Sequence, residues 1–109
     1  MISTLADLRA WGQHLVDGSL LSPALQARRL QFHRFDGSPI NAGYGLGILN
    51  VNEFVGHNGA IFGYSSVVLT RPQTGTQLAF VAKESTTSSR PAFDVALAMI
   101  AELYPDQVR

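Results

Sequence analysis

The chain has 109 residues, 46% of them apolar and 15% charged, with eight Lys and Arg balancing eight Asp and Glu. That is the size of one globular domain with a modest core, and a charge content below the about 25% usual in soluble domains implies surface buried against something else. Zero net charge with scattered basic residues leaves no footprint for nucleic acid or an anionic membrane, and no apolar run approaches the roughly 20 residues of a membrane span. The lack of cysteine rules out a disulfide framework, a thiolate nucleophile and a zinc site built on sulfur. Met1-Ile2-Ser3-Thr4 has no signal-peptide character, so the chain reads as soluble with its compartment open.

The first element is a helix over about residues 4–17. Leu5, Leu8, Trp11 or Gly12, Leu15 and Val16 recur at helical spacing, Thr4 and Asp7 have capping-box spacing, and Gly18 can close the C-terminus. Ser22 as N-cap and Pro23 at the first helical position predict a second, shorter helix over about 23–32, after which F-D-G-S-P-I-N-A-G supplies breakers. From Tyr44 the period becomes strand-like. Strands are expected over about 43–51 and 54–58, joined by a turn in N-V-N-E-F, and over about 63–70 and 76–83, joined by R-P-Q-T-G. A polar run, E-S-T-T-S-S-R, leads to a helix over about 91–104 with Phe93, Leu97, Ile100 and Tyr104 on one face. This order predicts an α+β fold with an antiparallel sheet of three to four strands flanked by helices, as one domain or a fragment of one over residues 1–109.

Most chemical motifs fail on inspection. Gly43, Gly45 and Gly47 form G-x-G-x-G, but Ile48 stands where a dinucleotide fingerprint needs glycine and no helix opens there; glycines admitting a close neighbour are the simpler reading. No two histidines have a metal-ligand spacing, so no metal is expected, and His14 and His33 read as structural or solvent-facing. G-Y-S-S-V lacks the second glycine of a nucleophile elbow, the single lysine, Lys83, has no serine three residues before it, and no tyrosine opens a Y-x-N. His57, between glycines in V-G-H-N-G-A, is the remaining histidine.

Taken together, S-T-L-A-D-L-R-A-W-G-Q-H-L-V-D-G-S-L-L-S-P, then Y-G-L-G-I, then G-H-N-G-A-I-F-G-Y-S-S-V-V-L-T-R-P-Q-T-G-T-Q-L-A-F-V-A-K-E-S and an alanine-rich helix make the whole chain resemble the C-terminal third of the serine penicillin-recognising enzymes. The likeness is to D-Ala-D-Ala carboxypeptidases carrying an H-x-G motif, class C β-lactamases and related esterases. In that family S-x-x-K supplies nucleophile and lysine, Y-x-N a proton-transfer partner, and K-T-G or H-x-G the far wall of the cleft. Only the third is present, as His57-Asn58-Gly59.

The resemblance implies that His57, on an edge strand facing the cleft, positions substrate and helps proton transfer, and that Gly59 leaves room for a substrate backbone. The backbone N–H of Ala60 would be one oxyanion-hole donor, the other coming from the serine this chain lacks. Asn58, in the substrate-binding position, stands where relatives often carry a Thr that helps hold a substrate carboxylate. An ester or amide without a terminal carboxylate therefore fits equally well. The expected function is that of a C-terminal fragment of a hydrolase acting on peptides, β-lactams or esters, cofactor-free and inactive alone; the alternative is a non-catalytic binding or assembly module. In the family the last strand, here about 76–83, pairs with a strand from the N-terminal region. The expected partners are therefore the complementary N-terminal segment or a second copy joined through that strand. Complete relatives are often extracytoplasmic.

Overall fold

A computed structural model of the chain describes residues 2–83 and 86–107. Met1 of the opening tetrapeptide, and Glu84 and Ser85 of the polar run, lie outside the described residues. Helix α1 spans Leu5–Asp17 and starts on a reciprocal capping box: the Asp7 N–H donates to Thr4 Oγ1 at 3.1 Å, and the Thr4 N–H to the Asp7 carboxylate at 3.1 Å. Gly18, at φ 73°, ends it in the left-handed conformation. Helix α2 spans Pro23–Arg29 behind the Ser22 cap and stops short of residue 32. The Arg29 carbonyl, which a longer helix would use internally, accepts the N–H of Leu46 at 3.2 Å instead. Leu30 and Phe32 turn down onto Leu15, Ile48 and Val55.

The α+β architecture holds, but the sheet has six antiparallel strands rather than three to four. They are β1 (His33–Arg34), β2 (Ala42–Tyr44), β3 (Leu49–Val51), β4 (Phe54–Ile61), β5 (Tyr64–Thr70) and β6 (Gln77–Lys83), neighbours in sequence order. Two causes account for the extra strands. The run expected as one strand over 43–51 folds back on itself, because Gly47 takes φ 67° and the Gly45 N–H donates to the Ile48 carbonyl at 2.8 Å. The short β1 lies in a stretch read as helix end and loop, where His33 pairs with Tyr44. The glycines of that motif serve the backbone: a Cβ at Gly45 would lie 2.2 Å from the Arg29 carbonyl oxygen, and one at Gly43 2.8 Å from that of His33.

Helix α3 (Pro91–Leu103) covers one face of the sheet, where Phe54, Val67 and Leu69 pack with Phe93, Ala96 and Ile100. Tyr104 closes that layer edge-on to Phe54, ring centroids 5.5 Å apart. Helices α1 and α2 lie on the other face, with Leu15 against Ile48 and Val55. Gly12, not Trp11, touches the sheet: Gly12 is buried and a Cβ there would meet Val68 Cγ2 at 2.7 Å, while Trp11 stays half exposed. Buried Gln26 ties the two helices by donating from Nε2 to the Leu15 carbonyl at 2.9 Å, so its amide costs little to bury.

Strand β3 is shorter than β4, and this fixes the site. The register Leu49↔Gly56, Asn50↔Val55, Val51↔Phe54 uses only the first three residues of β4. From His57 to Ile61, β4 is paired with β5 alone. Thus β4 is interior at its start and an edge from His57 onward. On the other side of β5 lies β6, which among the described residues pairs with β5 alone. Among the described residues no helix is long and apolar enough to cross a membrane.

Candidate functional site

The ladder decides where the backbone groups of β4 point. The two-residue turn Phe62–Gly63 closes on the pair Ile61↔Tyr64, and the register continues through Gly59↔Ser66 and His57↔Val68. Antiparallel pairs alternate between hydrogen-bonded and non-hydrogen-bonded. Ile61, Gly59 and His57 therefore bond toward β5, while Ala60 and Asn58 turn their N–H and C=O groups the other way. Gly56 and Phe54, in the same phase, bond to β3. Beyond Gly56 that side holds no strand among the described residues, so the Ala60 N–H faces an open edge.

His57 and Asn58 leave opposite faces of the sheet, as strand alternation requires. His57 borders a concavity of about 550 Å³ whose walls include Trp11, Leu21, Leu25, Leu46 and Arg29 on the α1–α2 side. Asn58 borders another of about 440 Å³ on the α3 side, with Tyr44, Phe93, Leu97 and Arg90 among its walls. Arg90 lies against Asp94 at 3.6 Å and over the Phe93 ring at 5.2 Å. Both concavities are mostly apolar with one guanidinium each.

The residues singled out from sequence thus occupy one continuous stretch of edge. His57, Asn58 and Gly59 are half-buried, and Ala60 is exposed. A Cβ at Gly59 would meet only the Ser66 hydroxyl, at 2.8 Å. The Nδ1 of His57 hydrogen-bonds the carbonyl of Asn58, and its Nε2 lies 2.5 Å from Tyr44 Oη. Tyr44 is the site residue that sequence reasoning missed. Y-G-L-G was part of the recognised pattern, but only the register Tyr44↔Leu49↔Gly56 brings this tyrosine beside His57.

The other histidines sit elsewhere: His14 hydrogen-bonds Ser19 Oγ at 2.8 Å near the end of α1, and His33 is exposed on β1. Among the described residues no three His, Asp or Glu side chains form a group able to hold a metal ion. The Glu53 carboxylate beside Arg71 raises the guanidinium pKa further, and the Ser19 backbone N–H lowers that of Asp17.

Comparison with known proteins agrees with this fold. A crystal structure of a D-stereospecific amidohydrolase from Streptomyces sp. superposes with a TM-score of 0.73 at 25% identity, over 92% of this chain and 29% of that one. The chain therefore spans less than a third of that structure. No curated protein gives a match. The family profile described as Beta-lactamase matches residues 1–102. With that profile covering nearly the whole chain and its serine hydrolase-type fold shared by the amidohydrolase, the chain belongs to the Beta-lactamase family.

Proposed function

We propose that the chain forms one wall of the acyl-transfer cleft of a serine hydrolase, with the nucleophile and its proton-transfer partner supplied by a complementary segment. The observation that carries this reading is the open edge of β4, where the Ala60 N–H points out of the sheet three residues from His57. Attack by a serine on an ester, amide or β-lactam carbonyl puts negative charge on its oxygen. A fixed backbone N–H aimed at that oxygen contributes about 3 kcal/mol in the transition state. His57 supplies hydrogen bonding beside the reacting centre, and Gly59 lets an extended substrate approach the strand. Asn58 offers an amide where carboxylate-binding relatives often carry Thr, which favours ester or amide substrates without a terminal carboxylate. The neighbour's description as a D-stereospecific amidohydrolase supports amides of D-residues as one substrate class.

These 109 residues contain no S-x-x-K and no Y-x-N, so the chain alone supplies neither nucleophile nor base. Incubated with a fluorescent penicillin and with an activated ester, the purified chain is expected to show no covalent label by mass spectrometry and no turnover. A stoichiometric acyl adduct sinks this reading.

A second reading, a non-catalytic binding or assembly module, is favoured by a different observation. Strand β6 is seven residues long, pairs on one side only, and leaves Val81 54% exposed. Such an edge is a template for strand addition.

A further inference from the structure

We infer that Tyr44 is a positioning residue for His57, holding the imidazole in its Nδ1–H tautomer and in one orientation at the open edge of β4. The inference rests on the proposed role of His57 in the cleft wall. The Asn58 carbonyl can only accept, so the Nδ1 that contacts it carries the proton of the neutral ring. Nε2 is then bare and needs a donor. The Tyr44 hydroxyl, 2.5 Å away with the two rings edge-on at 79°, supplies one. The ring is thereby held at both nitrogens, and its basic lone pair is directed at a phenol rather than left to solvent. Second-partner contacts of this kind fix histidine tautomers wherever imidazoles work.

Tyr44 is itself placed by the fold. β3 begins at Leu49, so no strand residue stands between the end of β2 and the free half of β4. The next residue, Gly45, is locked twice: its N–H donates to the Ile48 carbonyl at 2.8 Å, and its Cα packs so closely on the Arg29 carbonyl that a Cβ would lie 2.2 Å from the oxygen. The end of α2 therefore sets the turn, the turn sets Tyr44, and Tyr44 sets His57. A tyrosine kept only for packing would be buried, whereas this one is 37% exposed and borders the Asn58 concavity.

The test is nitrogen-15 NMR on the histidine-labelled chain, read through long-range proton–nitrogen correlations. In the wild type His57 is expected as a single tautomer, protonated at Nδ1 and bare at Nε2. In Tyr44→Phe the Nδ1–H population is expected to fall severalfold toward the Nε2–H form that a free histidine side chain prefers, while thermal unfolding stays near wild type. A wild-type ring carrying its proton on Nε2, or an unchanged His57 pattern in Tyr44→Phe, overturns the inference. Should Tyr44→Phe fail to fold, the wild-type spectrum still decides, because a nuclear Overhauser contact between a slowed Tyr44 hydroxyl proton and the His57 ring is required and its absence is contradictory. With the complementary segment present, Tyr44→Phe is expected to lower kcat with KM nearly unchanged and to add nothing to His57→Ala. Turnover indifferent to His57→Ala would defeat the hydrolase reading, leaving the tautomer measurement to judge Tyr44 by itself.

Discussion

Gly56 and Gly59 lie three residues apart on β4, yet a methyl group meets different neighbours at each. At Gly56 it would stand 2.0 Å from the Val68 carbonyl oxygen and 2.9 Å from its carbon, backbone that moves only by opening the β4–β5 ladder. At Gly59 it would meet a serine hydroxyl, which can rotate away. Gly56→Ala is therefore expected to cost about 1–3 kcal/mol, and Gly59→Ala little, in denaturant titrations of the two variants. Equal stability of the two variants contradicts the account. H-N-G drew attention to Gly59, whereas the demand for glycine at Gly56 was not legible, because it comes from a carbonyl on the neighbouring strand. Asp17 gives a prediction in pH. The Ser19 N–H donates to its carboxylate at 2.8 Å and, with the Ser19 hydroxyl and nearby His14, lowers its pKa below the ordinary 3.8. A depressed folded-state pKa means the stabilisation is complete above the unfolded value and disappears as pH falls through the lower folded one. Asp17→Asn should thus melt below wild type at neutral pH, with the gap closing in strong acid; a gap that persists there excludes this linkage.

At the level of elements, legibility followed the range of the forces involved. The caps of α1 and α2 are local chemistry, with Thr4–Asp7, Gly18, Ser22 and Pro23 within one turn of the ends they define. The length of α2 and the split of the 43–51 run were not local. The helix ends where the Arg29 carbonyl receives Leu46 N–H across the fold, and the turn between β2 and β3, made by Gly47 and the Gly45–Ile48 bond, packs against that same carbonyl. The two-residue β1 carries too little periodicity to be seen in any sequence window. The contact between Tyr44 and His57 was hidden for the same reason, since it follows from where β3 starts. Strand β6 carries the prediction for this scale. If its free side and the half-exposed Val81 take an added strand, as the second reading proposes, light scattering should show mass rising with concentration. Val81→Lys should shift the chain toward monomer without loss of helix or sheet signal. A wild type that stays monodisperse at high concentration, with rapid amide exchange along β6, removes the case for this interface.

Across the whole molecule, three features point to an incomplete surface. Charged residues are 15% of the chain, the α1–α2 face exposes Trp11, Leu21 and Leu25 around the His57 concavity, and among the described residues β1, β6 and the second half of β4 each pair on one side only. The chain covers 92% of its own length but only 29% of the amidohydrolase it superposes on, so most of that structure has no counterpart here. The most direct measurement is turnover of an activated ester and of a D-amino-acid amide by the chain alone, by a complementary segment bearing S-x-x-K and Y-x-N alone, and by the two together. The account predicts turnover only for the mixture, reduced about 10²-fold or more by His57→Ala. Turnover by the chain alone, or no turnover from a mixture shown to form a stable complex, contradicts it.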